Sequence, residues 1–329
     1  MQSRGNRVRA RVGQPAMAWP GRWLCTNPGR TGLGLGLGFQ LHISEAKKKE
    51  RMRQKKSNQN RSLLNMNMPF ASGTLLHVLR LGREFSVKEM LCFEEALLRA
   101  DKRNWCVISE GPIQPTVVLG LSGKLHDLVY VDAARNAGAK AVRRFTGGGT
   151  VVADRGTVFI SLCLSRFSAL GAPQYPKEIM AWSEKLYAPV FASLLGLGSA
   201  SDTSSEFRLC ENDYCMGDVK FGGNAQAVSR DRWLHHTSFL WDINAAHMAL
   251  LKIPPKRPAY RRDRGHGEFL TGLSAHVPHA AAGPEELGRS LLCHLSRIPG
   301  LTLVNATVDD ALEALARNER KSNEDVELV

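Results

Sequence analysis

The chain has 329 residues, of which 43% are hydrophobic, so it can bury a sizeable core as one large domain or two modest ones. Its formal net charge of +13 suggests nucleic-acid binding, but residues 1–61 alone carry 14 lysines and arginines against two acids. The rest is nearly neutral, so we expect no nucleic-acid-binding face on the folded part. No stretch approaches the roughly 20 apolar residues of a membrane-spanning helix, and no membrane association is expected.

The cysteine pattern argues against a disulfide framework. There are seven cysteines, an odd number, without a C-x-x-C pair. This usage is typical of free thiols in a reducing compartment. Cys210 and Cys215 precede His235 and His236, but the spacing lacks a second compact ligand pair and is a weak zinc pattern.

Residues 1–70 are interpreted as a disordered basic extension. Their first 44 residues contain six arginines and no acid, which resembles an organelle transit peptide. The alternatives are a plain disordered extension or an upstream start, with Met66 or Met68 as the true beginning.

Two segments of this extension have low complexity. Residues 32–38 read GLGLGLG, with glycine at every second position, so they cannot form the G-x-G-x-x-G loop of dinucleotide-binding proteins. Residues 45–61 are polar and basic without an apolar face, as in solvated or disordered segments. A single catalytic domain is therefore expected over residues 71–329.

Ordered structure is expected from about residue 74. Ser86 and Glu89 form a capping-box signature that predicts a helix over about 87–100. The hydrophobic pattern predicts strands at Leu75–Leu81, Cys106–Ile108, Thr116–Leu119, Ala141–Arg144, Val158–Leu164, around Phe221, at Ala225–Ser229, His235–Leu240 and Leu301–Val304. It predicts further helices at Leu128–Ala137, Lys177–Leu195, 284–296 and 307–318. Since βαβ alternation is absent, the fold class is α+β with a mixed or largely antiparallel sheet.

The first segment with chemical potential is a predicted strand that ends in Arg143 and Arg144 and runs into a triglycine turn, Gly147–Gly149. Glycines let backbone N–H groups approach anionic oxygens closely, and a guanidinium adds a bidentate donor. The chain has no G-x-x-x-x-G-K-[ST] motif, so this is not a P-loop. The alternative is a merely flexible hairpin turn.

The second segment, residues 217–226, places Lys220 between glycines in strand-like sequence. Most lysines lie on solvated faces, but these glycines would clear space for a ligand beside the ammonium. Asn212 and Asp213, shortly before it, could orient a ribose or hold a metal ion.

The third segment, residues 233–242, alternates so that one of His235 and His236 faces inward. A single inward histidine is more often a hydrogen-bonded structural residue than a catalytic base. Both interpretations stay open at this point.

These three segments, in this order, resemble the lipoate–protein ligases of the biotin/lipoate ligase superfamily, and are closest to plant-type members. The resemblance covers roughly residues 75–325, including Gln114–Gly120 and Phe93–Glu95. It implies a mixed, mostly antiparallel sheet packed by helices. Bacterial relatives often carry a further C-terminal accessory domain, for which this sequence leaves no room, so full activity would need a partner unless this subgroup manages without one.

The resemblance also implies roles for individual residues. Lys220 would be catalytic, reaching the substrate carboxylate and the α-phosphate, and Asp213 would be a weak Mg²⁺ contact through the nucleotide. The expected substrate and nucleotide contacts are Arg144, Thr146, Gly147, Gly148, Gly149, Val151, Val152, Thr157, Asn212, Asp213, Gly222, Ala225, His236 and Glu94. This sequence departs from many bacterial relatives at Ala153, where they have His, at Thr157, where they have Asn, and at 237–238, where Thr-Ser replaces Gly-Thr.

The implied activity is ATP-dependent: lipoate and MgATP give lipoyl-AMP, and the lipoyl group then passes to a lysine of a carrier domain. The implied partners are lipoyl domains of 2-oxoacid dehydrogenases and the glycine-cleavage carrier protein. These partners and the arginine-rich start point to mitochondria, with plastid or cytoplasm as alternatives. Val118, Leu119, Val151 and Phe159 are expected to line an apolar tunnel for the lipoyl tail.

Three alternatives remain. The first is an ATP-independent lipoyl or octanoyl transferase, for which Cys163 or Cys215 would be the nucleophile. The second is a non-catalytic lipoyl-domain binding protein. The third, a biotin ligase, is disfavoured because the GRGRRGR-type loop is absent. The ligase hypothesis requires that the Lys220 ammonium and the triglycine turn lie together and not apart in open solvent.

Overall fold

The computed structural model describes residues 73–166, 168, 175–196, 207–278 and 283–329. All of them belong to one compact unit, Met52–Val329. The basic extension, its transit-peptide interpretation and its low-complexity segments lie outside the described residues. The expected domain boundary at residue 70 therefore stays a prediction.

The described strands are β1 Thr74–Leu81, β2 Asn104–Glu110, β3 Thr116–Leu119, β4 Lys140–Arg143, β5 Val151–Ala153, β6 Thr157–Ser165, β7 Phe207–Cys210, β8 Asp213–Met216, β9 Val219–Val228, β10 Arg232–Leu240, β11 Leu301–Asn305 and β12 Glu324–Asp325. The α-helices of the same residues are α1 Val87–Arg99, α2 Leu125–Leu128, α3 Val131–Asn136, α4 Pro176–Leu194, α5 Ala245–Met248, α6 His266–Phe269, α7 Glu285–Leu295 and α8 Val308–Arg317. Short 3₁₀ helices span Ala259–Arg261 and Leu273–Ala275.

The strands form two mixed sheets. The larger has eight strands in the order β11-β1-β2-β6-β10-β9-β8-β7, and the smaller has the order β12-β4-β3-β5. In the larger sheet β1 runs parallel to β11 and β2, while every other pairing is antiparallel. The expected α+β class with a mixed, mostly antiparallel sheet is confirmed.

Alternating side chains of the large sheet serve two separate cores. Ile160 and Leu162 of β6 pack in one cluster with α4 and α7. Phe159 and Cys163 point the other way, into a cluster with α1, α8 and the small sheet. Because β6 is covered on both faces, its sequence is an almost continuous apolar run and does not alternate.

Local signals predicted several elements well. The Ser86–Glu89 capping box is confirmed: Glu89 N donates to Ser86 Oγ at 3.2 Å, and Ser86 N donates to the Glu89 carboxylate at 2.7 Å. The predicted helix over Leu128–Ala137 is wrong as a single element. The chain leaves the helix at Val129, which forms a β-bridge to Leu251, and α3 begins only at Val131.

The segment around Asn323 holds the residues that lead into the triglycine turn. Glu324 and Asp325 pair with β4, immediately before the turn. The Asn323 side chain accepts from Phe145 N at 2.9 Å and donates to Leu91 O at 3.1 Å. These contacts connect α1, the turn and a segment more than 170 residues later in the chain.

Within the described ranges, no helix has the length and apolar character needed to span a membrane.

Candidate active site

Lys220 is held in place and does not extend into solvent. Its Nζ lies 2.8 Å from Asp213 Oδ1, and its side chain is 21% exposed. A Cβ added at Gly223 would lie 3.1 Å from the same Nζ, so the glycine leaves the space that the ammonium occupies. The ammonium therefore rests directly over the β9 backbone.

The triglycine turn is organised by a buried arginine. Arg144 is 4% exposed, and its Nη2 donates to Gly147 O at 2.8 Å and to Gly149 O at 2.7 Å. Gly148 has φ +104°, which side-chain-bearing residues rarely adopt. The turn also packs on Gly120, where a Cβ would lie 2.2 Å from Gly148 O. All three glycines of the turn are exposed, so its open side can receive a ligand.

The triglycine turn and the ammonium converge on consecutive residues of β9. A Cβ at Gly148 would lie 3.8 Å from Asn224 O, next to the Gly223 position over which Lys220 lies. Asn224 is itself fixed by a side-chain hydrogen bond to Asn212 O. The two segments that the resemblance singled out are therefore neighbours, although they lie more than 70 residues apart in the sequence.

The electrostatics of this place favour an anion. Burial lowers the pKa of Arg144 to about 10, while the nearby Glu94 charge opposes the shift, so the guanidinium stays protonated near neutral pH. The hydroxyls of Thr146 and Thr150, on either side of the three glycines, are buried and have no partner among the described residues.

His236 is the histidine on the same side of the sheet as the Lys220 site. It lies opposite Ala225 of β9, and its Nδ1 lies 2.9 Å from Glu94 Oε1. Ser161, which the sequence did not single out, lies 3.0 Å from the same Nδ1 and donates to Glu94 at 2.5 Å. Glu94 is 1% exposed, and its carboxylate contacts Ser161 and His236. Its expected contact with the substrate stays a prediction.

His235 points to the opposite side and has a structural role. Tyr214 Oη lies 2.9 Å from its Nε2, and Gln226 Nε2 lies 3.2 Å from its Nδ1. Burial lowers the pKa of His235 to about 3. The histidine is therefore neutral in the folded protein at every pH near neutrality.

This burial predicts acid sensitivity of the fold. Between pH 6.5 and 3 the unfolded chain binds a proton at His235 that the folded protein does not, so the free energy of unfolding falls as pH decreases. At pH 5 we expect His235 to account for a loss of about 2 kcal/mol. Urea unfolding at pH 7 and pH 5 checks this: His235→Gln should lose less stability over the interval than the parent, and an equal loss would contradict it.

Three further predicted contacts, Thr157, Val152 and Val151, pack against or hydrogen-bond to other parts of the protein. Thr157 Oγ1 accepts from Asp154 N at 3.1 Å and thereby closes the turn before β6. Val152 is buried in a cluster with Val117 and away from the turn, so only its backbone can face a nucleotide. Val151 packs in the cluster of α1.

One expectation stays open and another needs correction. A Cβ added at Gly222 would meet the ring of Phe239 at 2.8 Å, in the core next to α4, so the expected pocket contact of Gly222 involves its backbone and stays a prediction. Leu119 cannot line the expected tunnel with Val118, since it points into the cluster of Val152 on the other face of β3. Val118, Val151 and Phe159 do share one cluster.

The two cysteines considered as nucleophiles lack the features of reactive thiols. Cys163 is 1% exposed and Cys215 is fully buried. Burial raises the pKa of Cys163 above its ordinary value and that of Cys215 to about 12. A nucleophilic cysteine needs a lowered pKa and access, so neither residue fits that role.

The geometry offers little to a directly bound metal ion. Both carboxylate oxygens of Asp213 already have partners, Lys220 at 2.8 Å and Tyr260 at 2.9 Å. Across the described ranges, no three His, Cys, Asp or Glu side chains lie close enough together to hold a metal ion. The Cys210, Cys215, His235 and His236 pattern therefore does not form a zinc site in this structure. A magnesium ion carried by the nucleotide itself stays a prediction.

Comparisons with known proteins agree with this architecture. A family model described as the lipoyl protein ligase A/B catalytic domain matches residues 86–296. A Plasmodium falciparum protein named inactive lipoate–protein ligase 2 is 25% identical over 224 residues, which cover 61% of this chain and 58% of that relative. The chain thus spans less than two thirds of that relative's length.

Solved structures show the same fold. A crystal structure of lipoate–protein ligase A bound with ATP has a TM-score of 0.57 at 20% identity, covering 75% of this chain and 93% of that one. P. falciparum LipL1 in complex with lipoate has a TM-score of 0.56 at 16% identity, covering 75% and 69%. Since the family model matches well over half of the sequence, this chain belongs to the lipoyl protein ligase A/B catalytic domain family.

Proposed function

We propose that the chain is an ATP-dependent lipoate–protein ligase, which forms lipoyl-AMP and transfers the lipoyl group to a lysine of a carrier domain. The observation that supports this best is the convergence of the Lys220 ammonium and the triglycine turn on Gly223 and Asn224 of β9. An acyl-adenylate carries its negative charge at one phosphate beside one carbonyl, and a site with one lysine beside exposed backbone amides suits that charge distribution.

In the first step, a carboxylate oxygen of lipoate attacks the α-phosphorus of ATP, and pyrophosphate leaves. Two anions must approach each other, and the Lys220 ammonium would lower their repulsion. The exposed amides of Gly147–Gly149 would bind the phosphate oxygens, held in position by Arg144. Mg²⁺ would arrive with the nucleotide and neutralise phosphate charge.

In the second step, the neutral amine of the acceptor lysine attacks the acyl carbon, a proton of the amine passes to solvent, and AMP leaves with the electrons of the broken C–O bond. Lys220 would again stabilise the developing oxyanion. The lipoyl tail would lie along the apolar side chains of Val118, Val151 and Phe159. Lipoyl domains of 2-oxoacid dehydrogenases and the glycine-cleavage carrier protein are the proposed acceptors, in mitochondria.

The decisive assay is pyrophosphate release from ATP with lipoate, octanoate or biotin, each with and without an acceptor lipoyl domain. We expect release that depends on lipoate or octanoate and not on biotin. The P. falciparum relative is named inactive, so a chain that binds a lipoyl domain without releasing pyrophosphate is the outcome that would replace the proposed function.

A separate measurement tests the ATP-independent transferase. Such an enzyme would carry the acyl group as a thioester after incubation with an octanoylated carrier domain. Because Cys163 and Cys215 are buried thiols with raised pKa values, we expect no hydroxylamine-sensitive mass increase of this chain. A thioester on either cysteine would favour the transferase over the ligase.

A further inference from the structure

The Asp213 carboxylate lies between the proposed catalytic lysine and a tyrosine from a distant segment. Asp213 Oδ1 lies 2.8 Å from Lys220 Nζ, and Tyr260 Oη donates to Asp213 Oδ2 at 2.9 Å. Among the described residues each oxygen has one partner, so the orientation of the carboxylate depends on both. Tyr260 is absent from the motifs that the sequence singled out.

The tyrosine hydroxyl is fixed as a donor towards Asp213. The Cys215 thiol donates to Tyr260 Oη at 3.4 Å, which leaves the phenolic proton for the carboxylate. Burial, together with the negative charge of Asp213, raises the pKa of Tyr260 above its ordinary value. The phenol therefore remains protonated, and the hydrogen bond to Asp213 persists across the neutral range.

The backbone around Tyr260 is also fixed by hydrogen bonds from neighbouring segments. Glu211 has φ +54°, a left-handed conformation that is unfavourable for a residue with a side chain. In this conformation its Oε1 accepts from Ala259 N at 2.7 Å and from Tyr260 N at 3.3 Å. The Tyr260 ring packs 5.3 Å from the Phe269 ring, and Arg264 donates to Tyr260 O at 2.9 Å.

The same segment also touches the backbone of the lysine. Thr271 N donates to Lys220 O at 2.8 Å, and Leu270 forms a β-bridge with Lys220. The segment from Ala259 to Thr271 thus holds Lys220 at two points, its main chain directly and its ammonium through Asp213.

We propose that Tyr260 is a positioning residue: its hydroxyl holds the Asp213 carboxylate so that the Lys220 ammonium stays over Gly223, facing the triglycine turn, and remains available to a bound anion. Its role in turnover rests on the proposed function. Without the hydroxyl, Asp213 Oδ2 loses its donor and the carboxylate charge acts on Lys220 alone. The ammonium is then held more tightly by Asp213 and is less available to an approaching reagent or anion.

The first test needs no turnover. Lys220 in the ligand-free, full-length protein is labelled with acetic anhydride at pH 8, and the rate is read by mass spectrometry. We expect Tyr260→Phe to slow labelling of Lys220 about threefold, an effect at the low end of what a single hydrogen bond contributes. Tyr175→Phe, at an exposed tyrosine before α4, is the matched control and should leave the rate unchanged. An unchanged rate in Tyr260→Phe would overturn the proposal.

The second test asks whether Tyr260 acts through Asp213. Lipoate-dependent pyrophosphate release by Tyr260→Phe should show a kcat about tenfold lower, with the KM for ATP little changed, as for an interaction used in the transition state. In an Asp213→Asn background the same replacement should have no further effect. Full additivity of the two losses would contradict a role through Asp213. If the parent protein releases no pyrophosphate, the proposed function fails, while the labelling result still decides the role of Tyr260.

Discussion

Lys220→Ala is expected to abolish most lipoate-dependent pyrophosphate release while leaving the fold intact. The proposed mechanism places the ammonium at the carboxylate–phosphate contact, and removing a donor aimed at transition-state charge costs about 3–4 kcal/mol, or roughly 10²–10³ in rate. Folding should survive because Asp213 keeps its hydrogen bond from Tyr260 and a side chain that is 15% exposed. Pyrophosphate release and circular dichroism of the purified variant check the two statements.

A matched control separates this effect from a general loss of positive charge. Lys185 lies on the exposed side of α4, away from the triglycine turn, and Lys185→Ala should keep the parent rate. Near-parental activity of Lys220→Ala would remove the catalytic assignment of Lys220.

Arg144→Lys is expected to lower adenylate formation about 10²-fold, although it conserves charge. The guanidinium bridges Gly147 O and Gly149 O at 2.8 and 2.7 Å, and a single ammonium cannot hold both carbonyls in the same geometry. A turn displaced by about 1 Å misplaces its backbone amides, and such misplacement costs roughly that factor. Because the carbonyls can bind water instead, the free energy of unfolding should fall by only about 1–2 kcal/mol.

The neighbouring arginine supplies the control. Arg143 pairs with Glu324 at 2.9 Å and donates to Gly123 O, so its side chain does not organise the turn. Arg143→Lys should therefore keep most of the activity. If Arg143→Lys and Arg144→Lys lose equal activity, the turn-organising role of Arg144 is wrong. The measurements are initial rates of pyrophosphate release and urea unfolding curves.

Sequence predicted best what is encoded locally. The capping box of α1 needs only Ser86 and Glu89, and the apolar run of β6 reflects burial on both faces. The resemblance implies that the triglycine turn and Lys220 lie together, and in the structure the turn approaches β9, the strand that carries Lys220. The roles assigned to the remaining contacts stay predictions.

What sequence could not predict depends on contacts between distant segments. Tyr260 lies 47 residues from Asp213, in a single-turn 3₁₀ helix that is too short to show a hydrophobic period. Ser161 lies within the apolar run of β6, where nothing in the sequence marks it as functional. Only its contact with His236, 75 residues later, indicates a role. Leu119 was placed on the wrong face because β3 is buried on both sides, so its sequence does not alternate.

The hydrogen bond between Phe145 N and the Asn323 side chain has a consequence for how this protein folds. The turn is joined to α1 through contacts that span 178 and 232 residues of sequence, which are among the costliest loops to close. During synthesis from the N-terminus, β4 and its turn leave the ribosome well before Asn323 does. The triglycine turn should therefore reach its final geometry late in folding, after most of the central sheet has formed.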